Sequence, residues 1–218
     1  MKKHFFISVV SLFVCFMQVG AQKLERMNWI NEPTSWTIDS PNQMTMQITP
    51  KSDLWCFLPH WFSINDVPFY YGEYGGDFEV KVNITGEYKA KYDQMGLMLY
   101  INEKNWIKAG IEYVNDVQHV SAVVTHKKSD WSIIGLKDAP ESIWIKAVKV
   151  EDGVSLYYSF DNNEFTLFRT SWIEEHALIK VGVMGASPEG KGFKAIFKDF
   201  QVKHLPNKQR LEWAAKQK

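Results

Sequence analysis

The sequence predicts an all-β protein, an antiparallel β-sandwich. Short segments alternate apolar and polar residues with period two, turn-forming residues separate them, and helical periodicity is almost absent. In chain order the alternating segments are QMTMQIT (Gln43 to Thr49), DFEVKVNIT (Asp77 to Thr85), QMGLMLYI (Gln94 to Ile101) and NWIKAGIEYV (Asn105 to Val114). VQHVSAVVT (Val117 to Thr125), IWIKAVKV (Ile143 to Val150), VSLYYSF (Val154 to Phe160) and FTLFRT (Phe165 to Thr170) follow. IKVGVMGA (Ile179 to Ala186) and FKAIFKDFQV (Phe193 to Val202) complete the series. Asn115-Asp116, Asp152-Gly153 and Asp161-Asn162-Asn163 are the residue types that tight hairpin turns require. About a dozen strands with these turns pack as two sheets face to face.

The two ends read differently from the body. Lys2 and Lys3 precede an apolar run from Phe5 to Met17, and Val19-Gly20-Ala21 supplies small residues for cleavage. Residues 1–21 are therefore expected to be a signal peptide, with the mature chain starting at Gln22 and exported to the periplasm or beyond. The run is too short for a membrane span. A lipoprotein anchored through Cys15 is the less favoured reading, because Val14 is bulkier than such sites prefer. Residues 22–205 are expected to form the single sandwich domain. Residues 206–218, which contain NKQRLEWAAKQK, are expected to be a short helical or frayed tail.

Composition narrows the function. Without the signal, Cys56 is the sole cysteine, so no intramolecular disulfide exists and the core must supply stability. Nine Trp, nine Tyr and fourteen Phe provide for that core. The mature chain is close to neutral, with none of the basic excess a nucleic-acid binder needs. No Gly-x-Ser-x-Gly, phosphate loop or dinucleotide fingerprint is present, so no cofactor is implied. His60, His119, His126 and His176 lack zinc spacing, and Asp161-Asn162-Asn163-Glu164 reads as a hairpin turn, so no metal is expected. Cys56, between Trp55 and Phe57, reads as a buried inert thiol.

The register of three consecutive strands follows from their apolar faces, because a slip of one residue would turn a whole face outward. A three-residue loop at Asn102-Glu103-Lys104 sets Leu97 opposite Ala109 and Leu99 opposite Ile107. A two-residue turn at Asn115-Asp116 sets Ile111 opposite Val120 and Ala109 opposite Ala122. The other face is then fixed. Gln94, Glu112 and His119 form one row, and Gly96, Gly110 and Ser121 the next. Met98, Lys108 and Val123 come third, with Tyr100, Trp106 and Thr125 last. A flat ring lying on the paired glycines would be addressed by Gln94, Glu112, His119 and Lys108. Lys108 and Glu112 stand about 13 Å apart along the strand, too far to be merely each other's salt bridge.

GDFEVKVNITGEYKAKYDQMGLMLYINEKNWIKAGIEYVNDVQHVSAVVTHKKSDWS, Gly76 to Ser132, resembles the family of unknown function numbered 1349, DUF1349. MNWINEP, SDLW and MGASPEGKGFKAIFKDF are similar to its flanking segments. That family is grouped with the concanavalin A-like lectins and glucanases. The resemblance implies a jelly-roll β-sandwich of two curved antiparallel sheets, with a ligand on the concave one. The family commonly carries an arginine where this chain has Cys56, so any part that arginine plays in a site is missing here.

The expected function is non-catalytic, lectin-like binding of a carbohydrate or other polyol. The expected ligand residues are Gln94, Gly96, Trp106, Lys108, Gly110, Glu112, His119, Ser121, Thr125 and Trp131. Trp106 and Trp131 would be stacking platforms, with Trp131 in a loop folding over the sheet edge, and Lys108 could meet an acidic sugar. Two alternatives stand beside it. One is a carbohydrate-active enzyme using Glu112 with His119, although glycoside hydrolysis usually needs two carboxyl groups and this face offers one. The superfamily's Glu-x-Asp-x-Glu strand is absent, Asp77 and Glu79 being its nearest imitation. The other is a protein-interaction domain whose concave face receives a partner chain.

Overall fold

The computed structural model describes Leu24, residues 27–57 and residues 62–207. The leader with Cys15, His60 and the tail from residue 208 onward lie outside the described residues. The strands begin with β1 Asn28–Ile30, β2 Trp36–Ser40, β3 Gln43–Gln47, β4 Leu54–Phe57, β5 Phe62–Asn65 and β6 Phe69–Tyr74. They continue with β7 Phe78–Gly86, β8 Gln94–Asn102, β9 Asn105–Val114, β10 Val117–His126 and β11 Lys128–Gly135. The last are β12 Ile143–Val150, β13 Gly153–Ser159, β14 Thr166–Trp172, β15 Ile179–Ala186 and β16 Lys194–His204. Among the described residues there is no helix.

Two seven-stranded antiparallel sheets form a β-sandwich. The first runs β1-β6-β15-β8-β9-β10-β11, the second β14-β13-β12-β7-β16-β3-β2. Every alternating segment read from the sequence is a strand. The strands the sequence did not announce are short, like β1, or lack clean apolar–polar alternation, like β6 (FYYGEY), where one face is buried throughout and the other only at Phe69. β11 corrects the expectation of a loop around Trp131: Lys128–Gly135 pairs along its whole length with β10.

The predicted register is observed. Gln94 faces Glu112, Gly96 faces Gly110, Met98 faces Lys108 and Tyr100 faces Trp106. Across the next pair Glu112 faces His119, Gly110 faces Ser121 and Trp106 faces Thr125. Asn115 and Asp116 both have positive φ, 51° and 63°, the geometry of a two-residue type I′ turn. The β8–β9 connection differs in detail. Asn102 pairs with Asn105, leaving a two-residue turn, and a bulge between Tyr100 and Asn102 absorbs the odd residue without shifting the strands.

The alternation that fixed the register also builds the core. Leu97, Leu99, Ile107 and Ile111 of the first sheet meet Val80, Val82, Ile145 and Phe197 of the second, all 2% exposed or less. Each such side chain contributes about 1.5–3 kcal/mol by leaving water. A second apolar cluster lies on the outer face of the first sheet, turned away from the second. There Leu54 and Val67 pack with Phe69, Met98, Trp106 and Val123. The β4–β5 hairpin forms a small sheet of its own and covers part of this face.

Candidate functional site

The hairpin is held down by polar contacts from several strands. Lys108 Nζ donates to the Leu54 carbonyl at 2.8 Å and lies 3.9 Å from the Asp53 carboxylate. The Cys56 amide donates to Ser129 Oγ at 2.9 Å, its thiol donates to the Lys127 carbonyl, and Asn65 donates to the Tyr100 hydroxyl at 3.3 Å. Cys56 is thus buried, as expected, and its side chain is engaged. Burial pushes the Lys108 ammonium below its ordinary range, against the opposing pull of Asp53 and then Glu112.

Beside the hairpin the outer face opens into a pocket of about 180 Å³, lined by Asp53, Trp55, Tyr92, Gln94, Lys108, Glu112, Val123, Trp131 and Pro188. Glu112 is its central polar group. Only 6% exposed, it accepts from Ser121 Oγ at 2.6 Å and from the Trp131 indole N–H at 2.8 Å, both on Oε2. Among the described residues Oε1 accepts no hydrogen bond. That oxygen is not sealed from solvent, so it is reachable from the pocket and open to a further donor. Gln94, its cross-strand neighbour, is 7% exposed and donates to the Tyr92 carbonyl at 3.3 Å.

The aromatic wall is fixed from behind. Trp131 is 39% exposed, yet its N–H bond to Glu112 sets the orientation of the indole, and Tyr92 meets it edge-on at 6.3 Å. Tyr92 has a φ of 67°, a conformation rare for a side-chain-bearing residue. The neighbouring Asp93 is fully buried and supports this turn: its carboxylate accepts from the Lys89 and Ala90 amides and from Ser187 Oγ. Asp93 thereby ties the Tyr92 segment to the Ser187-Pro188 segment on the far side of the pocket.

Of the expected residues, Gln94, Lys108, Glu112 and Trp131 meet in the pocket. Ser121 holds Glu112 from beneath. Trp106 and Thr125 are corrections, both 0% exposed. Trp106 is packing under the hairpin, its N–H donating to the Glu103 carbonyl, and Thr125 hydrogen-bonds Ser129. Neither can meet a ligand from these positions. The Glu112–His119 pair is also corrected. The two are cross-strand neighbours, but Glu112 turns to Ser121 and Trp131 while His119 Nδ1 contacts the Val117 carbonyl at 2.9 Å.

The glycines require a different explanation from the one the sequence suggested. A Cβ on Gly110 would lie 1.9 Å from the Met95 carbonyl oxygen, and one on Gly96 would lie 2.1 Å from that of Ala109. Close approach of the two backbones excludes a side chain there. The space next to Gly110, bounded also by Ser121 and Met184, is only about 10 Å³, close to the minimum for one water. The larger hollow is displaced toward Trp131.

Sequence reasoning missed Asp53, Trp55, Tyr92 and Pro188, all supplied by segments outside the three registered strands. The one available signal was SDLW, which places an acid two residues before a tryptophan.

Residues 29–205 match the family model described as "Protein of unknown function (DUF1349)". A Saccharomyces cerevisiae protein named Regulation of enolase protein 1 is 30% identical over 181 residues, 83% of this chain and 90% of that one. The crystal structure of a functionally unknown protein from Saccharomyces cerevisiae superposes with a TM-score of 0.80 at 27% identity, covering 84% of this chain and 99% of the other. The GH43 protein BlXynB from Bacillus licheniformis has a TM-score of 0.62 at 15% identity, over 86% of this chain but 40% of that one. That last likeness is one of fold alone.

Proposed function

The chain belongs to the DUF1349 family, and we propose that it is an exported, non-catalytic binding module that takes a carbohydrate or other polyol beside Glu112 and Trp131. The observation that carries this reading is the clamp between them. One carboxylate oxygen fixes the indole N–H at 2.8 Å, while the second lacks a partner among the described residues. A sugar ring has one apolar face and a rim of hydroxyl donors, matching a held aromatic plane beside a free acceptor. About 180 Å³ is room for roughly 12–18 water-sized sites at about 10–15 Å³ each, the scale of one sugar ring.

The test is calorimetric titration with a panel of monosaccharides, repeated on Trp131→Ala. Trp131 is well exposed, so the variant is expected to remain folded. Saturable binding in the wild type, weakened about tenfold or more in the variant, supports the reading; tenfold is about 1.4 kcal/mol. Absence of binding across the panel by folded protein refutes it.

A hydrolytic reading draws its support from one feature, that Asp53 joins Glu112 in lining the pocket and provides the second carboxyl group such chemistry needs. It would replace the Glu112–His119 pair with Asp53–Glu112. Turnover of an aryl glycoside that is abolished by both Asp53→Asn and Glu112→Gln would favour this reading over simple binding.

A further inference from the structure

We infer that the pocket selects a sugar carrying a protonated amine, with the ammonium on the free oxygen of Glu112 and the ring against Trp131. This rests on the carbohydrate reading above and names the ligand class within it.

Charge provides the first argument. Among the described lining residues Asp53 and Glu112 are acids, Lys108 is the one base, and the others are neutral. Lys108 is committed to the hairpin, bonded to the Leu54 carbonyl and facing Asp53. Among the described residues no ion pair joins it to Glu112. The lysine that the sequence offered to an acidic sugar is thus already paired with Asp53, and an anionic ligand would face the remaining negative charge of Glu112.

The second argument is the state of Glu112. It is more than nine-tenths buried and held by a hydroxyl and an indole, neither of which carries a compensating charge. Its second oxygen makes no hydrogen bond among the described residues yet is not sealed from solvent, so a ligand donor can reach it from the pocket. A neutral hydroxyl satisfies the lone pair only, whereas an ammonium satisfies both the lone pair and the charge, and such charge-assisted bonds are roughly twice as strong.

The aromatic walls point the same way. Trp55, Tyr92 and Trp131 line the pocket, and their ring faces attract cations. Tyr92 already does so, with the Lys91 ammonium 4.6 Å from its ring centroid.

The experiment is titration of the wild-type protein near neutral pH with glucosamine, N-acetylglucosamine, glucose and glucuronate. Glucosamine is expected to bind about tenfold more tightly than glucose or N-acetylglucosamine, with glucuronate weakest. The preference should shrink as salt rises from about 0.1 M to about 1 M, where the screening length falls from about 10 Å to about 3 Å. Glu112→Gln should bring glucosamine to within about threefold of glucose, a residual difference near 0.65 kcal/mol. If glucose or N-acetylglucosamine binds as tightly as glucosamine, or glucuronate binds best, the inference is overturned while carbohydrate binding stands. If no sugar binds, both fall. Should Glu112→Gln not fold, the charge and salt series on the wild type decides alone.

Discussion

Replacing Gly110 by alanine measures how closely β8 and β9 approach. The added Cβ would sit 1.9 Å from the Met95 carbonyl oxygen and 2.8 Å from the Gly96 Cα. Carbon–oxygen contacts between strands normally lie at about 3.3–3.6 Å. The backbones must therefore part by more than about 1 Å, against an ordinary spacing of about 4.8 Å. Parting strands in mid-sheet weakens roughly two ladder hydrogen bonds at about 1 kcal/mol each. The displaced packing adds about 1–3 kcal/mol. The sum, about 3–5 kcal/mol, is a large part of the 5–15 kcal/mol typical of a folded domain. At about 2–4 °C for each kcal/mol, Tm should fall by roughly 6–20 °C in scanning calorimetry. Gly96→Ala should behave alike, its Cβ lying 2.1 Å from the Ala109 oxygen. Gly135→Ala is the control, because its Cβ meets nothing nearer than His119 Nε2 at 3.5 Å and should be neutral or slightly stabilising. If Gly110→Ala melts within about 2 °C of the wild type, about 1 kcal/mol or less, the close-approach argument is wrong and the glycine serves something else.

Trp106→Ala removes a fully buried indole beneath the hairpin and should cost about 3–5 kcal/mol in urea denaturation; a loss under about 1 kcal/mol would mean that β4–β5 does not cover the face. Lys108 carries a pH signature. Its folded-state pKa is lowered, so below that value both states hold the proton and burial of the charge weighs fully on the fold. Between that value and about 10.5 the unfolded chain keeps the proton longer, and stability rises with pH. The wild type should therefore gain on Lys108→Met as pH climbs toward 10.5 in paired denaturation curves, and a flat difference would contradict the assigned burial. If residues 1–21 are an export signal, intact-mass analysis of the secreted product should find Gln22 at the N-terminus; retention of Met1 would remove the export reading.

The sequence by itself determined the sandwich class and the pairing of β8, β9 and β10. Residues such as Leu97, Ile107 and Val120 must all face one core, and with a period of two that demand admits one register. It also told which residues share the opposite face, since those follow from the same parity. Parity does not tell what lies on top of a face. Trp106 and Lys108 read as open ligand groups because β4–β5 is distant in sequence, and only the folded chain lays Leu54 against them. The apolar residues Met98, Tyr100 and Val123 on that supposedly open face were the trace of the missing cover. Only the tertiary structure could assemble the pocket, because Asp53, Tyr92 and Pro188 join Glu112 in its lining through chain reversals that no local pattern encodes. Burial is decided by the whole fold; facing is decided by the strand.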